Sequence, residues 1–160
     1  MARKFFTYES TPTCTTAACS AGEVLTPALT KLLTGVRGGE TVRLVSVTMI
    51  DYEDIGSNVG IQFFMKNTGG AVGVGGANPN ITDSNLRLNV PLGVCEVRGA
   101  TDNGGGDMEN SKISTNTIDL LLTSDDDAVE GEIYYSCIAS EAIDLAAASS
   151  YTFRFGFEIF

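Results

Sequence analysis

The final residues of the chain alternate between apolar side chains and polar or small ones. Successive side chains of a β-strand point to opposite faces, so this period of two predicts a strand with one buried face. We expect Phe153, Phe155 and Phe157 to lie in the core, on a central or barrel-closing strand. The apolar set is Tyr151, Phe153, Phe155, Phe157 and Ile159, and the other set is Thr152, Arg154, Gly156 and Glu158.

The same alternation recurs along the chain and predicts further strands. Residues 41–51 form the longest candidate, with Val45, Val47 and Met49 on one face and Leu44 and Ile50 on the other. Weaker strand signals lie at residues 4–8 and 95–98. The other alternating apolar sets are Val59, Ile61, Phe63 and Met65; Leu86, Leu88 and Val90; Ile118, Leu120 and Leu122; and Val129, Ile133, Tyr135 and Cys137.

Only one helix is predicted, and it lies near the N-terminus. Thr26 can cap it, Pro27 suits its first position, and Gly35 can end it. Residues 124–127, Ser-Asp-Asp-Asp, predict a hairpin turn between two strands. Strands outnumber helices, and few connections are long enough for crossover helices. The predicted fold is therefore all-β: an antiparallel β-sandwich or a jelly-roll-like barrel with one short helix near the N-terminus.

The chain of 160 residues, 43% of them hydrophobic, is expected to form a single β-domain over residues 1–160. Residues 1–22 are rich in Thr, Ser and Ala and are predicted as an extended N-terminal arm. Its aromatic residues Phe5, Phe6 and Tyr8 are candidate anchors for a partner protein, because aromatic groups dominate interface energies. The alternative is that residues 4–8 form an edge strand.

The net charge of −10 argues against nucleic acid as a partner, because phosphate binding needs clustered Lys and Arg. Residues 101–144 hold eleven acidic residues against Lys112 alone, whereas residues 1–50 are mildly basic. These regions are either solvated loops or patches that dock on a neighbour. The chain shows no apolar run of signal-peptide or membrane-helix length, so we expect no membrane contact and synthesis in the cytoplasm.

The four cysteines do not have the spacing of a zinc site. Cys137 is expected in the core, and Cys14 and Cys19 are close enough to bridge in an oxidising environment, although we expect a fold that needs no disulfide. No metal or cofactor is expected. The weaker candidates for Ca²⁺ are oxygen ligands in polar loops: Asp102, Asn103, Asp107 and Glu109, and then Asp125, Asp126 and Asp127.

Catalytic signals are weak in this chain. It has no histidine, which removes the commonest general base. Asp51, Glu53 and Asp54 follow a strand and could include a glycosidase acid pair, but such clusters usually face solvent. The Gly-rich residues 69–76 match no phosphate-binding motif. We expect a protein that is not an enzyme.

Two strands carry a resemblance to a family. Gly-Glu-Thr-Val-Arg-Leu-Val-Ser-Val-Thr at residues 39–48 and Val-Glu-Gly-Glu-Ile-Tyr-Tyr-Ser-Cys-Ile-Ala at residues 129–139 resemble strands of bacteriophage capsid decoration (cement) proteins and small coat proteins. The resemblance implies a virion protein, made in the host cytoplasm and present in many copies or as a homo-oligomer. Its implied partners are the major capsid protein or other virion proteins. The alternatives are a tail or neck protein and a carbohydrate-binding or adhesin β-sandwich.

Overall fold

The computed structural model describes residues 3–68, 83–99 and 112–160. Within them the chain forms eight strands and one seven-residue helix. In chain order the elements are β1 (Lys4–Ser10), β2 (Thr30–Arg37), β3 (Thr41–Asp51), β4 (Val59–Phe64), α1 (Asp83–Asn89), β5 (Pro91–Val97), β6 (Lys112–Thr123), β7 (Glu130–Ala139) and β8 (Tyr151–Ile159).

The strands form two antiparallel sheets of four. Sheet I has the order β1-β8-β3-β6, and sheet II has the order β2-β7-β4-β5. Every pairing is antiparallel, and one hydrophobic core joins residues of both sheets. The all-β fold class predicted from the alternation is therefore confirmed, and the architecture is a two-sheet sandwich.

Aromatic rings from the two sheets meet at the centre of the core. Phe153, Phe155 and Phe157 of β8 are completely buried, which confirms their predicted face. The Phe155 ring lies 6.1 Å from the ring of Phe63 in β4, edge to face, and 5.1 Å from that of Tyr135 in β7. Such pairs add to the stabilisation that comes from area burial alone. The alternation of β8 thus supplies the side chains that hold the sheets together.

Strand β3 departs from the predicted alternation at one point. Its pairing with both neighbours shifts between Leu44 and Ser46, which marks a β-bulge. The bulge places Leu44 and Val47 on the same, buried side, whereas an unbroken strand would place them on opposite faces. The predicted grouping of Val45 with Val47 and Met49 was wrong for this reason.

The predicted helix at residues 26–35 was wrong, because Thr30–Arg37 is strand β2. Leu32 and Thr34 are both buried, so a period of two fits this segment as well. A helix of two turns depends on tertiary packing, and here pairing with β7 supplies the backbone partners instead. Gly35 has a φ of +73° and lies where the β2–β7 register shifts, not at a helix end.

The helix of the protein occurs where a strand was predicted. Leu86 and Leu88 lie in α1, and Leu86 packs against the buried pair Leu29 and Phe64. Three alternating residues are too short a pattern to separate a strand from a helix turn. Val90 then takes a φ of +54° and leads into β5 at Pro91.

The turn at residues 124–127 is not a hairpin. It joins β6 of sheet I to β7 of sheet II, so the strands on either side of it do not pair with each other. Val129, which was grouped with the buried residues of the next strand, is 93% exposed before β7 begins. Cys137 in β7 is buried as predicted.

The N-terminal segment lies along the domain. Strand β1 pairs with β8 over Lys4–Ser10, so the edge-strand alternative describes these residues. Beyond β1, the Cys14 N–H donates to the Ala148 carbonyl, and Cys19 and Ile143 exchange two backbone hydrogen bonds. This segment is therefore hydrogen-bonded to its own sandwich at β1 and at residues 14 and 19. Binding of this segment to another virion protein stays a prediction.

Candidate functional site

The three predicted anchors lie on opposite sides of β1. Phe5 is paired with Glu158, faces outward and is 71% exposed. Phe6 and Tyr8 are half-buried and pack against the core. This split follows from the alternation of side chains along a strand. Phe5 can therefore contact a partner directly, and Phe6 can do so only at the opening between the sheets.

That opening lies between the edge strands β1 and β2. In the described part of the chain, β1 pairs only with β8 and β2 only with β7, so each has one edge without a strand partner. A cleft of about 300 Å³ lies between them, and we call it the β1–β2 cleft. It is lined by Phe6, Leu33, Gly35, Val36, Glu130 and Gly131. Unpaired edges of this kind can pair with a strand of another chain.

Gly35 allows the aromatic floor of the cleft to form. A Cβ atom at Gly35 would lie 3.2 Å from the Phe6 ring, and the backbone there has a positive φ. Both features favour glycine, because other residues rarely adopt this conformation. This cleft was not predicted from the sequence, because Gly35 was expected to end a helix. A glycine interrupting a β-branched and leucine-rich segment was the available signal of a bulge.

A second, more open cleft of about 510 Å³ lies at the start of β2. Its lining is rich in hydroxyl groups and includes one cation: Thr11, Thr13, Pro27, Ala28, Leu29, Thr30 and Lys31. Lys31 is ion-paired with Glu132, which raises its pKa through a side-chain hydrogen bond. The arrangement offers polar contacts to a neighbour.

The carboxylates considered for a glycosidase pair are held by the backbone. Asp51 is buried and accepts hydrogen bonds from the N–H groups of Glu53 and Gly56, at 3.0 and 2.8 Å. Glu53 accepts from the N–H groups of Ala146 and Ala147, at 2.7 and 2.8 Å, and from the Ser150 hydroxyl. Desolvation alone would raise the pKa of Glu53, but these hydrogen bonds outweigh it and the pKa lies below its ordinary value. Both carboxylates thus stabilise loop segments by accepting hydrogen bonds from backbone N–H groups.

The acidic turn at Asp125, Asp126 and Asp127 brings three carboxylates together. The Lys66 Nζ lies 3.0 Å from an Asp125 oxygen and 3.9 Å from an Asp127 oxygen. The hydrogen bond from Lys66 is the main cause of the lowered pKa of Asp125. A lysine of the chain thus already compensates charge at this candidate Ca²⁺ site. The other candidates, Asp102, Asn103, Asp107 and Glu109, lie outside the described residues, as do residues 69–76.

The four cysteines are free thiols. Burial is the main cause of the raised pKa of Cys14 and of Cys95, each to about 12. Burial also raises the pKa of Cys137 well above the ordinary value. Because the thiolate is the reactive form, these three side chains are poor nucleophiles at neutral pH. Their contribution is to packing.

These features describe an all-β sandwich with a cleft between the edge strands β1 and β2. In the described ranges no helix is long and apolar enough to cross a membrane. No family model and no curated protein matches the chain.

Several solved viral structures are similar to the chain over nearly its whole length. A chain of the T13 infectious bursal disease virus particle matches 98% of it at 7% identity and a TM-score of 0.37. The Gt strain of that virus matches 98% at 7% identity and a TM-score of 0.34. The coat protein of Tobacco streak virus matches 97% at 9% identity and a TM-score of 0.33. This chain spans about a third of the bursal disease virus chains (31% and 32%) and 83% of the Tobacco streak virus coat protein.

Proposed function

We propose that this protein is a structural virion protein of the capsid decoration (cement) type, which binds the outer surface of an assembled capsid and stabilises the shell. The observation that carries the proposal is the β1–β2 cleft, where two strand edges that have no strand partner among the described residues flank an apolar floor. The resemblance of residues 39–48 and 129–139 to strands of such proteins supports it. The proposal assigns no reaction and no cofactor to the protein.

The domain can fold before it docks on a capsid. Its core joins both sheets and contains the fully buried rings of β8 and β4. A domain with such a core does not need a partner to complete it. It can therefore be added to a particle after the shell has formed.

The β1–β2 cleft suits an extended segment of the major capsid protein. A strand laid along β1 or β2 gains backbone hydrogen bonds from the free edge, and its side chains can enter the cleft. Leu33 and Phe6 supply apolar contact there. Glu130, at one end of the cleft, favours a segment that carries Lys or Arg.

The experiment uses capsids of the source virus from which this protein has been removed. The purified chain should bind them and raise the temperature at which they disrupt. Leu33→Lys places a charge in the cleft and should weaken binding at least tenfold. Val94→Lys is the matched control, because Val94 is exposed on the outer side of sheet II, and it should bind within twofold of wild type. Circular dichroism establishes that both variants are folded.

Point variants are preferred to deletion of the N-terminal residues. Strand β1 pairs with β8 along Lys4–Ser10, so a deletion would uncover the core and confuse unfolding with loss of binding. If the wild-type chain binds no capsid but binds tails or necks, the tail alternative replaces the proposal. If it binds glycans on an array and no particle component, the carbohydrate-binding alternative does.

A further inference from the structure

The outer face of sheet I carries an ordered row of four residues. The strand register aligns Phe5 of β1 with Glu158 of β8, Glu158 with Arg43 of β3, and Arg43 with Leu121 of β6. Phe5 is 71% exposed and Leu121 is 59% exposed, although both are large and apolar. Across the sheet the row is therefore apolar at its two ends, acidic at Glu158 and basic at Arg43.

The charges in and beside this row are tightly paired. The Glu158 carboxylate is almost fully buried, although it lies on an outer face, with Arg3 Nη1 at 3.0 Å and Arg43 Nη1 at 3.3 Å. Arg43 also donates from Nε and Nη2 to the two carboxylate oxygens of Asp119, at 2.8 and 2.9 Å. This bidentate geometry is the strong form of an arginine–carboxylate contact.

The face is electrically balanced in a protein that is strongly acidic. Besides the residues above, Arg154 donates to Glu9 at 2.6 Å on the same face. Among the described residues, three arginines on this face are thus balanced by three carboxylates, whereas the whole chain carries −10. Two copies repel each other over most of their surface and can approach most easily through a neutral face.

Most other side chains on this face are short and carry hydroxyl groups, so they project little from the sheet. Three pairs of threonines on or beside these strands are joined by hydroxyl hydrogen bonds of 2.7 to 2.9 Å, and another exposed aromatic residue, Phe160, follows the end of β8. Four strands about 4.8 Å apart, each about ten residues long, cover roughly 600 Å², somewhat below the ~800 Å² per partner of a standard interface. The threonine pairs are Thr11–Thr152, Thr41–Thr123 and Thr48–Thr115.

We propose that two copies of this chain associate face to face through the outer side of sheet I, about a two-fold axis parallel to the strands and between β8 and β3. Such a rotation reverses the strand order, so β1 of one copy lies over β6 of the other. It places Phe5 over Leu121 of the second copy, and it superposes the Glu158–Arg43 ion pairs of the two copies with opposite polarity. The row is therefore complementary to its own reverse, as an isologous interface requires.

The association is measured by sedimentation equilibrium of the full chain across a micromolar concentration series. Wild type should shift from monomer to dimer. Leu121→Lys should raise the dissociation constant at least tenfold, because it places a cation against an apolar ring. Val94→Lys should change it less than twofold. A wild-type chain that stays monomeric throughout, or a dimer unaffected by Leu121→Lys, overturns the proposal.

The axis is tested by cross-linking. A chain carrying both Phe5→Cys and Leu121→Cys should form a covalent dimer under mild oxidation, whereas each single variant should not. A bond within one chain is excluded, because β1 and β6 are separated by β8 and β3. Cross-linking of a single variant, or none in the double variant, overturns the geometry.

The proposal is independent of the capsid-binding proposal, because Leu121→Lys leaves the β1–β2 cleft unchanged and Leu33→Lys leaves this face unchanged.

Discussion

Replacing Phe155 by alanine tests whether the two sheets are held together by the aromatic centre of the core. Phe155 is completely buried, and its ring contacts Phe63 and Tyr135 of sheet II as well as Phe153 of its own strand. Removing a buried phenylalanine side chain typically lowers the free energy of unfolding by about 3–5 kcal/mol. We expect the upper part of that range, because strands on both sides of the ring are fixed in sheets and cannot collapse into the cavity.

Urea unfolding is monitored by circular dichroism. The free energy of unfolding is fitted together with its dependence on urea concentration. A domain of this size has a total stability of about 5–15 kcal/mol, so the variant should lose a large share of it. Its melting temperature should fall by roughly 6–20 °C, at about 2–4 °C per kcal/mol.

Leu88→Ala is the control, since it removes a large apolar side chain from an exposed position of α1, outside both proposed interfaces. It should change the free energy of unfolding by less than about 0.5 kcal/mol. If Phe155→Ala costs less than about 1 kcal/mol with an unchanged denaturant dependence, the rings of β8 do not hold the sheets together and the reasoning fails.

Three further predictions concern a close contact, a carboxylate and the thiols. Gly131→Ala should destabilise the domain by about 1–3 kcal/mol, because its Cβ would lie 2.5 Å from the Thr34 hydroxyl. Urea unfolding measures the loss of stability. A variant as stable as wild type would contradict the close contact between β2 and β7. Glu53 has a folded-state pKa below its ordinary value of 4.5, so it adds stability above that pH and loses it as the pH falls through the folded-state pKa. Thermal unfolding between pH 3 and 7 should therefore show a steeper acid loss for wild type than for Glu53→Gln, and identical profiles would refute the role of Glu53. Melting with and without reductant should coincide, because Cys14 and Cys19 are free thiols; a large drop under reductant would show that a disulfide supports the fold.

Where the alternation of side chains is long, the sequence predicted the strands correctly. The strands β3, β4, β6, β7 and β8 all occur where runs of alternating residues were recognised. The errors fall on short patterns. Residues 26–35 and 86–90 each fit both a strand and a helix, and tertiary contacts made the choice: pairing with β7 for β2, and packing on Leu29 and Phe64 for α1.

The candidate site was harder to predict, because it depends on which strands are neighbours. Phe6 was recognised as an aromatic anchor, but its cleft needs Leu33 and Gly35 of β2, which lie in the other sheet. The row from Phe5 to Leu121 likewise joins residues that are 116 positions apart in the chain. No local pattern brings such residues together.

By itself, the sequence determined the all-β class and the buried faces of the longest strands, because side-chain alternation is a property of each strand alone. It also determined the strong acidity of the chain and the absence of histidine. Tertiary structure alone decided which strands stay at the edges and where the bulges at Leu44 and Gly35 fall. It also decided which exposed residues share a face. These features follow from register and sheet order, which are set by contacts between segments distant in sequence.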